Sequence, residues 1–116
     1  MDTIDTETLR LWLLAARALL TEPERWTKEW SARDREGGCT NAHDLAAVCW
    51  CLVGALAVTC PTRTELGAQS PWVQVITALG MPGTDAVVEF NDRPSTTHAD
   101  VLAVLDAAVA RLPEAA

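Results

Sequence analysis

Apolar residues recur every three or four positions near both ends of the chain, as they do on one face of an amphipathic helix. In the N-terminal part these positions are Leu9, Trp12, Leu13, Ala16 and Leu20. Asp5 and Thr6 precede the stripe as capping residues, and Pro23 follows it. Because the residue before a proline disfavours helical geometry, the pattern predicts a first helix of about four turns that ends near Glu22.

Two further helices are predicted in the C-terminal half. Pro71 and Gly80 stand at the start and the stop of a stripe that includes Trp72, Val75, Ile76 and Leu79. The last helix has the broadest apolar face, made by Val101, Leu102, Val104, Leu105, Ala108, Val109 and Leu112. Thr97 and Asp100 have the spacing of a capping box in front of it, and Pro113 ends it.

The middle of the chain contains no charged residue from Leu45 to Thr62. Many of its side chains are small and Pro61 ends the run, which is untypical of a membrane span. Asn41 can cap a helix, with Asp44 in its first turn. The pattern therefore predicts a helix over residues 42–60, apolar almost all round and buried by its neighbours.

These elements predict an all-α fold in a single domain, residues 1–116. Four main helices and a short helical turn form a compact bundle, with the helix over 42–60 at its centre. Residues 62–70 are interpreted as a polar connection. Residues 86–90 fit either a short extended segment or a helical turn, and residues 91–94 are predicted to form a turn. One isolated extended segment cannot build a sheet, so no strand is predicted.

Composition narrows the class of protein. The chain has 116 residues, 16 acidic and 9 basic, with a net charge of -7 and a sequence pI of about 4.6. We expect no nucleic-acid or membrane partner, because no basic stripe is present to neutralise phosphates. The first five residues contain no lysine or arginine. A secretory signal is therefore not expected, and we predict a cytoplasmic protein with reduced cysteines.

Candidate chemistry is sparse. Cys39, His43, Cys49 and Cys51 lie within thirteen positions but lack the paired spacings of a zinc site, so no metal and no cofactor are expected. Cys49 and Cys51 are predicted to be buried and inert, since an apolar environment raises a thiol pKa. Glu89 and Asp92 could share a polar pocket with Arg93 and His98, but a capped turn ahead of the last helix is the favoured explanation. No phosphate-binding, nucleophile-elbow or dinucleotide motif is present, and no catalytic residue is assigned.

Four short signatures follow one another along the chain: Trp26, Cys51-Leu52-Val53-Gly54-Ala55-Leu56, Phe90-Asn91-Asp92, and Thr97 followed by Asp100-Val101-Leu102. Their order and spacing resemble a family of small uncharacterised helical domains from actinobacteria and their phages. The similarity covers most of the chain. The resemblance implies a bacterial or phage origin and directs attention to Cys51, Gly54, Asn91 and Asp92, but it implies no activity.

Trp26 and Trp30 are four residues apart, so on a helical turn they would share a face. That face would cover the core, or it would form an aromatic wall of a pocket or a partner surface. Asn91 and Asp92 would either cap the last helix or turn inward as buried polar groups. In the second case their candidate partners are a tryptophan indole, Thr97 and the central helix.

Two functions follow from these residues. The favoured one is a non-enzymatic module that binds a protein partner, a second copy of the chain included, through tryptophans the core does not need. The alternative is a small-molecule-binding protein or small enzyme with a pocket near Cys51, Asn91, Asp92 and His98. Either way, the candidate partner- or ligand-binding residues are Trp26, Trp30, Cys51, Asn91, Asp92 and His98.

Overall fold

The computed structural model describes residues 5–60 and 71–113. Over these residues it contains five α-helices and a three-stranded antiparallel sheet, so the expected all-α bundle is wrong. The helices are α1 (Thr6–Leu19), α2 (Leu52–Thr59), α3 (Pro71–Ala78), α4 (Thr84–Asp92) and α5 (His98–Arg111). The strands are β1 (Ala32–Asp34), β2 (Cys39–Thr40) and β3 (Ala47–Trp50), and a short 3-10 turn spans Pro23–Arg25.

The first helix forms where the apolar stripe predicts it. The Asp5 carboxylate accepts a hydrogen bond from the Thr8 backbone N–H at 2.7 Å, and this bond lowers the pKa of Asp5. Leu9, Leu13 and Ala16 form the buried face of α1. That face packs against α2 and α5, which places α1 across the core.

The sheet lies between α1 and α2 in the sequence and has the strand order β2-β1-β3. A tight turn joins β1 to β2, in which the Asp34 carboxylate accepts from the backbone N–H groups of Glu36 and Gly38. Gly37 has a φ of 86°, a left-handed conformation that glycine adopts without a steric penalty. β3 pairs with the other side of β1, so Ala32 lies opposite both Thr40 and Trp50.

The predicted helix over 42–60 is wrong in its first half. The side chains of Asn41 and Asp44 accept hydrogen bonds from the backbone of His43 and Ala46, and so form two local turns in place of a helix cap. β3 follows at Ala47–Trp50, and the helix begins only at Leu52. A continuous apolar run fits a buried strand as well as a buried helix, and valine and tryptophan are enriched in strands.

The segment through Trp26 and Trp30 forms no helical turn, because Trp26 is extended and bends follow it. Trp26 forms a parallel β-bridge with Trp50, and the Thr27 N–H donates to the Trp50 carbonyl at 3.0 Å. Glu29 has a φ of 75°, which no helix accommodates. The two tryptophans therefore share no helical face.

The start of α2 lies against the sheet. Cys51 is its N-cap, and the Sγ atom accepts from the Gly54 N–H at 3.3 Å. A Cβ atom at Gly54 would overlap the Ser31 carbonyl oxygen, which itself accepts from the Cys51 N–H at 3.2 Å. Only glycine permits this approach, so the helix and the strand that follows Ser31 are joined directly through their backbones.

The C-terminal half is helical, and α3 begins at Pro71 as predicted. The ambiguous residues 86–90 belong to α4, and residues 91 and 92 are its last residues instead of a turn. The capping box of α5 is confirmed, with Thr97 and Asp100 each accepting from the backbone N–H of the other. The predicted connection over 62–70 lies outside the described residues. The largest fully buried side chains are Leu13, Leu20, Leu52, Leu56, Leu105, Val75, Val87, Val101 and Asn91.

Candidate functional site

Asn91 is the one polar residue among the largest fully buried side chains of the described chain. Its Oδ1 atom accepts from the Trp26 indole N–H at 2.7 Å and from the Leu52 backbone N–H at 3.0 Å. Its Nδ2 atom donates to the Thr27 carbonyl at 3.1 Å and to Asp92 Oδ1 at 3.0 Å. The amide thus uses two acceptor and two donor positions, which is its full capacity. These five residues are called the Asn91 cluster below.

The Asn91 cluster forms because α4 ends where two other segments meet. Asn91 and Asp92 occupy its last turn, Leu52 begins α2, and Trp26 and Thr27 lead toward the sheet. A buried polar group without partners costs about 1–3 kcal/mol. The satisfied amide therefore fixes the relative positions of these segments, because any displacement leaves a buried group unpaired.

Asp92 extends the cluster to the surface. Its Oδ1 atom also accepts from the Glu29 backbone N–H at 2.8 Å, at the residue with the positive φ. Lys28 donates from Nζ to the Arg93 carbonyl at 2.7 Å and lies 5.6 Å from the centre of the Trp26 ring. Residues 27–29 are therefore attached to the end of α4 at three points, through the backbone of Thr27 and Glu29 and through the side chain of Lys28.

Cys51 lies beside the cluster and is buried as a free thiol. Burial raises the pKa of Cys51, the hydrogen bond from the Gly54 N–H opposes this effect, and the nearby negative charge of Asp92 adds to it. A thiol with a raised pKa stays protonated at neutral pH and is a poor nucleophile. The contacts of Cys51 are those of a helix cap.

His98 joins a different pair of segments. Its Nε2 atom lies 2.6 Å from the Leu20 carbonyl oxygen, and because a carbonyl only accepts, Nε2 carries a proton. The ring centroids of His98 and Trp26 are 6.1 Å apart. His98 therefore connects the start of α5 to the end of α1 and borders the Asn91 cluster through Trp26.

The structure thus brings five of the six sequence-predicted residues into one neighbourhood and leaves Trp30 outside it. The indole of Trp30 is 51% exposed. In contrast, the N–H groups of Trp26, Trp50 and Trp72 each donate to another part of the protein. Trp30 lies in the segment attached to Asp92 but makes no contribution to the cluster.

Sequence reasoning missed the residues that hold this segment. Arg33 donates from Nε to Thr27 Oγ1 at 2.9 Å and from its terminal nitrogens to the carbonyls of Lys28 and Gly37. An arginine on a short strand carries no sequence signal for this role. Thr27 and Glu29 contribute mainly backbone groups, which side-chain patterns cannot reveal.

The outer face of α4 forms a surface hollow beside the cluster, with a volume of about 710 Å³. Its lining comprises Asp85, Val88, Glu89, Asp92, Arg93 and Pro94. Three carboxylates face one guanidinium here, and Val88 is 40% exposed. The hollow is therefore acidic with an apolar centre.

Within residues 5–60 and 71–113, no three His, Cys, Asp or Glu side chains come together in a group that could hold a metal ion. Cys39 is exposed on β2, whereas Cys49 and Cys51 are buried. No helix in the same ranges is long and apolar enough to cross a membrane.

Comparison with known proteins gives a single finding. Residues 5–111 match the model of a family of unknown function, DUF6197. Neither a curated protein nor a solved structure matches the chain. The resemblance to an uncharacterised small domain family is thereby supported, and the match brings no activity with it.

Proposed function

Since this chain belongs to the DUF6197 family of unknown function, we propose from its own surface that it is a non-enzymatic protein-interaction module. The observation that carries the proposal is Trp30, whose large indole is half exposed on a segment held firmly in place. Tryptophans of this kind dominate the binding energy of many protein interfaces.

The neighbours of Trp30 explain why its position is fixed. On one side the Glu29 N–H donates to Asp92, and on the other the Ser31 carbonyl accepts from the Cys51 N–H at 3.2 Å. A backbone held in this way loses little conformational entropy when a partner binds. The strained φ of Glu29 persists because these bonds hold it, and it directs the chain through Trp30.

Charge indicates the kind of partner. The segment that carries Trp30 is attached to Asp92, which also lines the acidic hollow on α4. Asp85, Glu89 and Asp92 are spaced four and three residues apart, so they share one face of the helix. The complementary partner surface has basic residues around an apolar pocket that accepts the indole.

The Asn91 cluster supports a non-enzymatic role. The Asn91 amide makes all four of its hydrogen bonds to other groups of the protein. The Cys51 thiol is buried, and burial raises its pKa. The alternative is a ligand pocket near Cys51, Asn91, Asp92 and His98. In such a pocket Asn91 would have no free hydrogen-bonding position for a ligand, because the protein uses all four. Free cysteines that are mostly buried fit a reducing compartment, and we propose a cytoplasmic location on that basis.

The test compares the wild-type chain with two variants. Partners are captured from extracts of the source cells with the wild-type chain, with Trp30→Ala and with Leu45→Ala, which removes a fully exposed apolar side chain elsewhere. We expect Trp30→Ala to lose the partner and Leu45→Ala to retain it. The denaturation midpoint of both variants should equal that of the wild type. Sedimentation of the purified protein tests whether the partner is a second copy.

Salt and charge provide the second measurement. Once a partner is identified, its affinity is expected to fall with rising salt and in the Asp85→Asn and Glu89→Gln variants. Equal capture by the wild type and Trp30→Ala would contradict the proposal. So would a loss of folding stability in Trp30→Ala as large as that in Trp26→Ala, because Trp30 would then belong to the core.

A further inference from the structure

The end of β1 opposite to Trp30 carries a second surface. β1 runs antiparallel to β2 and β3, so the turn after β1 and the turn before β3 meet at this end of the sheet. Between the two turns lies a hollow of about 420 Å³. Its lining comprises Asp34, Arg35, Glu36, Leu45, Ala46 and Val48. We propose that a second copy of this chain docks here through two-fold symmetry, with Leu45 of each copy in the hollow of the other. This contact is independent of the surface around Trp30.

The apolar part of this surface is contiguous. Leu45 is fully exposed, more so than any other large apolar side chain of the described residues, and Ala46 and Val48 beside it are exposed as well. The pairing of β1 with β3 passes from Cys49 directly to Ala47, so Val48 lies in an irregularity of the strand. Such irregularities turn a side chain away from the regular sheet pattern. A single exposed leucine would need no explanation, but three neighbouring apolar residues on one hollow indicate an interaction surface.

Hydrogen bonds hold the backbone that carries Leu45. The Ala47 N–H donates to the Asp44 carbonyl at 3.0 Å, which closes a turn with Leu45 at its tip. The Asp44 carboxylate accepts from Thr40 Oγ1 at 2.6 Å and from the Ala46 N–H at 2.9 Å, and these bonds lower the pKa of Asp44. A turn fixed in this way loses little backbone entropy when a second copy binds.

The surface is complementary to itself in shape. A two-fold contact uses the same patch on both copies, so this patch has to contain both a projecting group and a space that receives it. Leu45 is the projecting group, and the hollow beside it is the space. An apolar cavity of about 150 Å³ is sufficient for benzene. A hollow of about 420 Å³ therefore has room for a leucine side chain and part of its turn.

Charge favours a second copy as the occupant. Arg35 and Glu36 are exposed neighbours of opposite sign on the rim of the hollow. In a two-fold contact, Arg35 of each copy can pair with Glu36 of the other, so the favourable pair forms twice. The hollow on α4 has three carboxylates and one guanidinium, so it would repel a copy of itself. In a chain with a net charge of -7, self-association requires a surface of mixed sign such as this one.

Sedimentation velocity of the full chain, from micromolar to millimolar concentration at low salt, measures the dimer. Two turns from each copy make a small contact, so we expect a reversible dimer whose fraction rises with concentration. A reductant prevents the exposed Cys39 from forming a disulfide between copies. Circular dichroism confirms that each variant is folded.

Three variants locate the interface. Leu45→Ala is expected to weaken dimerisation at least about tenfold, because the symmetry removes both leucines at once. The matched control is Leu11→Ala, which truncates a leucine that is 56% exposed on α1 and should leave the dimer unchanged. Trp30→Ala should also dimerise like the wild type. Dimerisation is thereby distinguished from the contact proposed for the protein partner.

Charge reversal tests the two-fold pairing. Arg35→Glu and Glu36→Arg each place like charges opposite one another, so each variant should dimerise at least about threefold more weakly. An equimolar mixture of the two variants brings opposite charges together again and should associate about as readily as the wild type. A protein that stays monomeric at millimolar concentration, or a dimer that Leu45→Ala leaves unchanged, would overturn the proposal. So would loss of the dimer in Trp30→Ala, or a mixture that associates no better than either variant alone.

Discussion

Replacing Asn91 with alanine removes the side chain that joins α4 to two other segments, the start of α2 and the Trp26–Thr27 segment. The Trp26 indole N–H, the Leu52 N–H and the Thr27 carbonyl then lose a partner at a fully buried position. Each unsatisfied group costs about 1–3 kcal/mol, and because neighbouring groups relax together we expect a total of about 3–6 kcal/mol. Small domains have a free energy of unfolding of about 5–15 kcal/mol, so Asn91→Ala is expected to be marginally folded.

Chemical denaturation followed by tryptophan fluorescence and far-UV circular dichroism measures this loss. The matched control is Asn41→Ala, which removes the same side chain from an exposed turn where it accepts one hydrogen bond, from the His43 N–H. A single exposed bond of this kind contributes about 1 kcal/mol or less. If Asn91→Ala cost no more than Asn41→Ala, the structural role of the cluster would be refuted.

The Asn91→Asp variant tests the same reasoning through pH. It places a carboxylate oxygen where Nδ2 now donates, facing the Thr27 carbonyl and Asp92. Burial and the negative charge of Asp92 would raise the pKa of the new carboxyl above its unfolded value of about 4. Stability is then highest below that unfolded value and falls as pH rises toward the folded pKa, because the unfolded state releases its proton first. The difference in free energy of unfolding between Asn91→Asp and the wild type should therefore become smaller at acid pH. A difference that does not change with pH would contradict the mechanism.

Three further predictions use the same denaturation assay. Gly54→Ala should lower the free energy of unfolding by at least about 2 kcal/mol, since the added Cβ meets backbone, whereas Gly83→Ala, with open space around it, should cost less than about 1 kcal/mol. Thr97→Ala should cost about 1 kcal/mol through the lost capping box, and Thr97→Ser should retain the cap. Burial raises the pKa of Cys51. The free energy of unfolding should therefore be independent of this thiol below its unfolded pKa of about 8.5 and should decrease as the pH rises above that value. Cys51→Ser keeps a capping oxygen without ionising, so its profile should fall less steeply at alkaline pH, and parallel profiles would count against this explanation.

The sequence was informative where local signals determine structure. The stripe of α1 and the Thr97 capping box predicted the first and last helices, because periodicity and caps act within a few residues. The sheet depends on pairing between segments distant in sequence. β3 aligns with β1 through contacts such as Ala32 with Trp50, which no local pattern encodes. The first half of the predicted helix over 42–60 is wrong for this reason, whereas Leu52–Thr59 is helical.

The candidate site shows the same division. In one of the two alternatives drawn from the sequence, Asn91 is buried and bonds to a tryptophan indole and to the central helix. In the structure its partners include the Trp26 indole N–H and the Leu52 backbone N–H. The attachment of Glu29 to Asp92 could not be anticipated, since it uses a backbone N–H at a residue with a positive φ. Backbone geometry of this kind arises only after the segments have packed.

The hydrogen bonds of Asn91 also have a kinetic consequence. They join residues 65 positions apart in the case of Trp26 and 39 in the case of Leu52, so they close long loops. The entropy of closing such loops is lost before the contacts compensate for it, which favours their formation late in folding. Substitutions at Asn91 should then accelerate unfolding and leave the refolding rate almost unchanged. The amide would thus govern how long the native state persists more than how quickly it is reached.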